Sequence, residues 1–142
     1  MRTDDVPQDA SFYGGHRRAC YAVDSEGRYT VAHSAGWSVE RAATEQALLD
    51  LEDKLESVRR GVVAGRLAPL AYHMGARQMT PTLLASHMGI ATWRVKRHLK
   101  PRVFARLSPE LLERYADCLD LPASDLAGVP DRPTRRFLSE SP

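Results

Sequence analysis

Apolar residues recur at two different periods along this chain, and the change of period divides it. Arg18 to Val23 and Arg28 to His33 are short runs mixing aromatic and β-branched residues with polar ones, separated by Asp24-Ser25-Glu26-Gly27. This pattern predicts a β-hairpin, because a four-residue connection ending in glycine can take the positive φ that the reversal needs. A two-stranded hairpin is marginal in water and has to pack on something. The next segment offers a support: Ser38 is placed to cap a helix reaching about Ala64, with Glu40 in its first turn. Val39, Ala42, Ala43 and Ala47 make a stripe on this helix able to receive the hairpin. Leu48, Leu51, Leu55, Val58 and Val62 follow at 3-4-3-4 spacing along a second stripe, open to intrachain packing or to a homodimer seam. Two heptads are too few to choose between them.

From Ala68 onward the pattern shifts to short helices with sharp punctuation. Pro69 to Gln78 reads as one helix, apolar at Leu70, Ala71 and Met74 and weakened by Gly75. Thr80 then serves as an N-cap for a helix Pro81 to Met88, with proline at the first helical position, where it is best tolerated. Gly89 follows where the chain must turn sharply in a left-handed conformation. Ala91 to Leu99 forms the next helix, ended by Pro101. Two short helices cross steeply when a small residue lets their backbones approach, here Ala85, and a glycine permits the turn. Leu84, Met88, Ile90 and Val95 then point inward. Thr92, Trp93, Lys96, Arg97 and Lys100 face outward.

The ends lack periodicity. Residues 1–15, with Pro7 and Gly14-Gly15, and residues 128–142, with three prolines and a serine-rich terminus, read as flexible tails flanking a hairpin-and-helix segment over 16–65 and a helical domain over 66–127. A chain of 142 residues with 43% hydrophobic and 27% charged residues is long enough for one ordinary core and too balanced for global disorder. No stretch reaches the roughly 20 apolar residues of a membrane span, and the first eight residues lack the basic start and apolar run of a signal peptide. A cytoplasmic location is therefore expected. The two cysteines, Cys20 and Cys118, have no metal-ligand spacing and read as buried thiols. His73, His87 and His98 fall on three separate helices without a carboxylate or thiol beside them, and are read as surface or capping residues rather than metal ligands. No phosphate loop, HExxH, nucleophile elbow or paired carboxylate occurs, so neither an enzyme nor a cofactor is expected.

The net charge of +2 says little about partners, but its distribution says more. Arg94, Lys96, Arg97, Lys100, Arg102 and Arg106 lie between Thr92 and Arg106 with no acidic residue. Leu107 to Leu126 holds Glu110, Glu113, Asp117, Asp120 and Asp125 against Arg114 alone. The stretch MTPTLLASHMGIATWRVKRHL, followed by LLERYADCLDLPASDL, resembles the Cro-type or XRE family of lambda repressor-like regulators over roughly residues 68–127. It shares the leucine-alanine pair, the apolar residues on either side of the turn glycine, and an apolar Val95. The resemblance implies a mainly α fold, a four-to-five-helix helix-turn-helix domain behind the hairpin and long helix, and sequence-specific binding of double-stranded DNA as a dimer.

Carried over residue by residue, the resemblance aims Lys96 and Arg97 at base edges, Thr92 at a base or phosphate, and Arg94, Lys100, Arg102 and Arg106 at phosphates. Where many members have a phosphate-gripping glutamine this chain has Pro81, so that contact is either lost or moved to Thr82. His98 departs from a position usually apolar, and the connection Lys100 to Leu107 is about two residues longer than usual. Trp93 either meets a thymine methyl or, the preferred reading, packs on a neighbouring segment. Two other classes stay open. One is a helix-turn-helix turned protein-interaction module. The other is an antitoxin-like regulator, since the run YAVDSEGRYTV is similar to the HicB antitoxins, although their third strand is missing.

Overall fold

A computed structural model describes residues 1–8, 16–36 and 38–132, with the side chains of Ser38 and Glu40, and hence the expected cap, outside the described residues. The chain is mainly helical, with an N-terminal two-stranded antiparallel hairpin. The described residues fall into two compact units, 1–50 and 51–132.

In the first unit, β1 (Arg18–Val23) pairs with β2 (Tyr29–Ser34), Tyr21 opposite Val31 and Ala22 opposite Thr30. Asp24 builds the turn: its side chain accepts from the backbone N–H groups of Glu26 and Arg28, both at 2.9 Å, and Gly27 takes φ +81°. Strand alternation puts Cys20, Ala22, Thr30, Ala32 and Ser34 on one face, all shielded to some degree. Tyr21, Tyr29 and Val31 point the other way, and the two tyrosines are 79% and 83% exposed.

The segment that covers the small-residue face is the one expected to be a flexible tail. Residues 1–8 form a short 3₁₀ turn at Thr3–Asp5 and bridge to the hairpin at both ends, Arg2 to Val23 and Gln8 to Gly36. Val23 N–H donates to the Met1 carbonyl (2.9 Å), the Ser34 hydroxyl to the Pro7 carbonyl (2.6 Å) and Gln8 Nε2 to the His33 carbonyl (2.7 Å). Val6 and Ala22 are buried. An extended segment held by its backbone shows no periodicity, and only alanine-sized neighbours let it lie so close. The stripe Val39, Ala42, Ala43 and Ala47 is exposed, so it does not receive the hairpin as expected. Gly14-Gly15 and the rest of residues 9–15 lie outside the described residues.

Helix α1 (Ser38–Val63) runs from the first unit into the second. There it is followed by α2 (Pro69–Ala76), α3 (Pro81–Met88), α4 (Thr92–His98), α5 (Pro101–Phe104), α6 (Pro109–Cys118) and α7 (Ala123–Leu126). Four of these helices, α2, α3, α5 and α6, open with proline, and Thr80 and Ser108 cap α3 and α6 by accepting from the N–H groups of Leu83 and Leu111. The core gathers Leu70, Leu84, Ala85, Met88, Val95, Phe104, Tyr115, Leu119 and Leu126. Ile90 is half-buried at its edge. The stretch read as a plain connection after Lys100 contains α5, which sends Phe104 into this core.

Of the second stripe on α1, Leu55 alone is buried (5% exposed); Leu48, Leu51, Val58 and Val62 are half-buried. Leu55 packs where α2 carries Gly75: a β-carbon there would sit 3.4 Å from Leu55 Cδ1. The stripe therefore works at least partly as intrachain core. The segment after α7 is also anchored rather than free. His73 Nε2 donates to the Gly128 carbonyl (2.7 Å), and Arg59 Nη1 donates to the carbonyls of Pro130 and Asp131. The expected tail thus begins no earlier than residue 132, and 133–142 lie outside the described residues. Cys20 and Cys118 are free and half-buried, more accessible than their reading as buried thiols.

Candidate nucleic-acid interface

Helices α3 and α4 are joined by a three-residue turn whose geometry follows from its sequence. Gly89 sits at φ +66°, ψ +32°, and Ile90 N–H reaches back to the Ala85 carbonyl (3.1 Å), closing α3. Arg114 Nη2 adds a bond to the Met88 carbonyl (2.7 Å), so a cation also meets the carbonyl end of that helix. Ala85 is buried at 2% exposure, consistent with a crossing that admits only a small side chain. Val95 anchors α4 inward.

What α4 and α5 leave outside is basic. Trp93, Arg94, Lys96, Arg97, Lys100, Arg102 and Arg106 are exposed, as is Thr82 on α3, while Thr92 is half-buried. Among the described residues, none of the six cations from Arg94 to Arg106 pairs with a carboxylate. The ion pairs shown lie elsewhere, in the hairpin turn and along α1, where Glu56 bonds Arg59 and Arg60. The Arg59 hydrogen bond holds the Glu56 carboxyl below its ordinary value.

Trp93 departs from its preferred reading: it is 62% exposed rather than packed on a neighbouring segment. It borders an open groove of about 630 Å³ lined by Arg94, Arg97, His98, Arg102, Val103, Arg106 and Leu107. The structure thus brings Trp93 together with four of the predicted phosphate or base ligands. Lys96, Lys100 and Thr82 do not line this groove.

His98 was expected at the surface and is buried instead, as is His73; His87 is exposed. His98 Nδ1 lies 2.8 Å from the Tyr115 hydroxyl, a hydrogen bond that ties α4 to α6 behind the basic face. Burial pushes the imidazole below its ordinary pKa, and the charges of Arg94 and Arg97 push it further. Burial also pushes the Tyr115 phenol up to about 12. The pair is neutral at physiological pH. Its signal was present in the spacing, because His98 stands three residues after Val95 and so shares its inward stripe.

Among the described residues no three His, Cys, Asp or Glu side chains converge as metal ligands, and no helix is long and apolar enough to cross a membrane. No family model, curated protein or solved structure matches the chain.

Proposed function

We propose that this protein is a cytoplasmic DNA-binding transcriptional regulator whose α3 and α4 act as a helix-turn-helix. The observation that carries the reading is the set of six exposed cations on and beside α4, none paired with a carboxylate among the described residues. Six uncompensated charges on one short stretch repel one another, and a polyanion offsets that cost while releasing its own counterions. The resemblance to the lambda repressor-like regulators supports the same reading. Lys96 and Arg97 then read base edges in the major groove, and Arg94, Lys100, Arg102, Arg106 and Thr82 hold phosphates. A twofold pair of chains on two half-sites would double this small footprint, with the half-buried residues Leu48, Leu51, Val58 and Val62 offering the seam.

Competition binding isotherms at several salt concentrations test the reading. Arg97→Ala is expected to lose about 1–3 kcal/mol on a selected site and much less on random DNA. Arg102→Ala is expected to weaken both alike and to flatten the salt dependence by about one unit of slope. Duplex affinities untouched by either change would remove the proposal. A second reading, a module that captures a protein partner, is favoured by the exposed Tyr21, Tyr29 and Val31 on the outer face of the hairpin. Loss of partner capture on Tyr21→Ser with Tyr29→Ser, at unchanged DNA binding, would support it.

A further inference from the structure

The groove beside Trp93 is shaped for more than the edge of a base pair. In an intact duplex the faces of the bases are stacked on one another, and a side chain in the major groove meets only edges and thymine methyls. An indole there leaves its own face in water. Trp93 presents most of its surface to solvent, yet it borders a groove lined both by the apolar Val103 and Leu107 and by the guanidinium-bearing Arg94, Arg97, Arg102 and Arg106. A flat aromatic platform, apolar walls and several planar guanidiniums are the parts that bind a splayed base and the phosphates on either side of it. The volume, about 630 Å³, lies in the range of small-ligand pockets and accepts one nucleotide. His98 lines the groove as well, with its Nδ1 already engaged by the Tyr115 hydroxyl.

We propose that this groove takes an unpaired nucleotide, its base stacked on Trp93 and its flanking phosphates on Arg94, Arg102 and Arg106, so that the protein prefers DNA with an extrahelical base to a perfect duplex. The inference rests on the DNA-binding reading and names the form of DNA that reading prefers. An acidic peptide would satisfy the arginines but would leave the indole face uncovered, whereas a nucleotide supplies a π-face and phosphates together.

The experiment compares the full chain on a labelled duplex, on the same duplex carrying one extra unpaired nucleotide, and on the lone strand, with polyglutamate as competitor. The bulged duplex and the strand are expected to bind about 5- to 150-fold tighter than the perfect duplex, the range that stacking of one base supplies. Trp93→Ala should collapse that ratio toward one, Trp93→Phe should restore part of it, and Arg102→Ala should weaken all three DNAs. A parent that binds the duplex without preference, or a ratio that survives Trp93→Ala, overturns this inference and leaves the DNA-binding reading standing. Polyglutamate displacing bulged DNA as effectively as an unlabelled strand of equal charge also overturns it, since charge alone would then account for binding. Failure to bind any DNA overturns both.

Discussion

His98 and Tyr115 each bring a polar atom into the core, and among the described residues the hydrogen bond shown for each is the one to the other. Tyr115→Phe leaves the imidazole nitrogen unpaired and is expected to cost about 1–3 kcal/mol, read from urea unfolding. Combining it with His98→Leu removes both polar atoms, and the double variant should cost less than the sum of the single changes, by at least about 0.5 kcal/mol. The pair also sets how stability depends on pH. Folding lowers the imidazole pKa below 6.5, so the unfolded chain takes up a proton first as the solution is acidified. The contribution is full above pH 6.5 and is lost as pH falls toward the folded value; His98→Leu should flatten that part of the curve. The phenol behaves in the opposite sense. Its folded pKa near 12 exceeds the ordinary 10, so its contribution is full below pH 10 and is lost as pH rises from there toward 12. At this scale the sequence was legible wherever a side chain's chemistry matched its environment, as for Leu84, Met88 and Val95. It misled where a polar residue was buried through a partner distant in sequence: seventeen positions separate His98 from Tyr115. Trp93 misled in the other direction, because an aromatic suggests burial and nothing local says that the space beside it is open.

Four helices end by the same device, and comparing them separates what glycine can announce from what it cannot. At Gly65, Gln78, Gly89 and Asp120 the chain turns left-handed, and the residue that follows bonds back five positions: Arg66 to Gly61, Met79 to Met74, Ile90 to Ala85 and Leu121 to Ala116. Gly89 was visible as a stop because glycine bears positive φ without penalty. Gln78 and Asp120 do the same with a side chain present, at φ 54° and 52°, and so the sequence pattern carries α2 to Gln78, two residues past its end at Ala76. Two further arginine bonds, Arg77 to the carbonyls of Leu119 and Asp120, hold the second of these turns. Asp120→Gly relieves the left-handed strain without removing that backbone acceptor, and should raise stability by up to about 1 kcal/mol in thermal melts. Gly89→Val should lower it by about 1–3 kcal/mol through backbone strain. Ala85→Leu should cost a similar ~1–3 kcal/mol by overpacking the approach of α3 to α4. Melts of both variants that matched the parent would mean that the Gly89 turn does not set the geometry of the basic face. Helix α5 escaped the sequence reading because four residues are too few to show a period, although Pro101 at its first position was a start signal as well as a stop for α4.

Across the whole molecule, periodicity located the helices well and assigned their partners poorly. The stripe on α1 illustrates the difference: its spacing fixed which residues share a face, but Leu55 found α2, at a place where Gly75 makes room. Leu55→Ala should therefore destabilise the fold by about 2–5 kcal/mol whatever the oligomeric state. Leu51→Glu separates the alternatives, since in a dimer it should reduce the mass found by light scattering from twice the chain's 15.8 kDa to that of a single chain. The basic block was legible because charge needs no partner to be counted. Residues 1–8 were not, because their role rests on main-chain atoms that every sequence possesses. That role can be followed in time. The amide hydrogen of Val23 sits on the outer edge of β1 and is held by the Met1 carbonyl rather than by a strand. Its rate of exchange with deuterated water consequently clocks how often the first residues lift away, whereas the amides paired between β1 and β2 clock the opening of the hairpin itself. If the two rates coincide, the eight residues and the hairpin open as one cooperative body. A faster Val23 would make the leading segment a latch that releases before the ribbon frays.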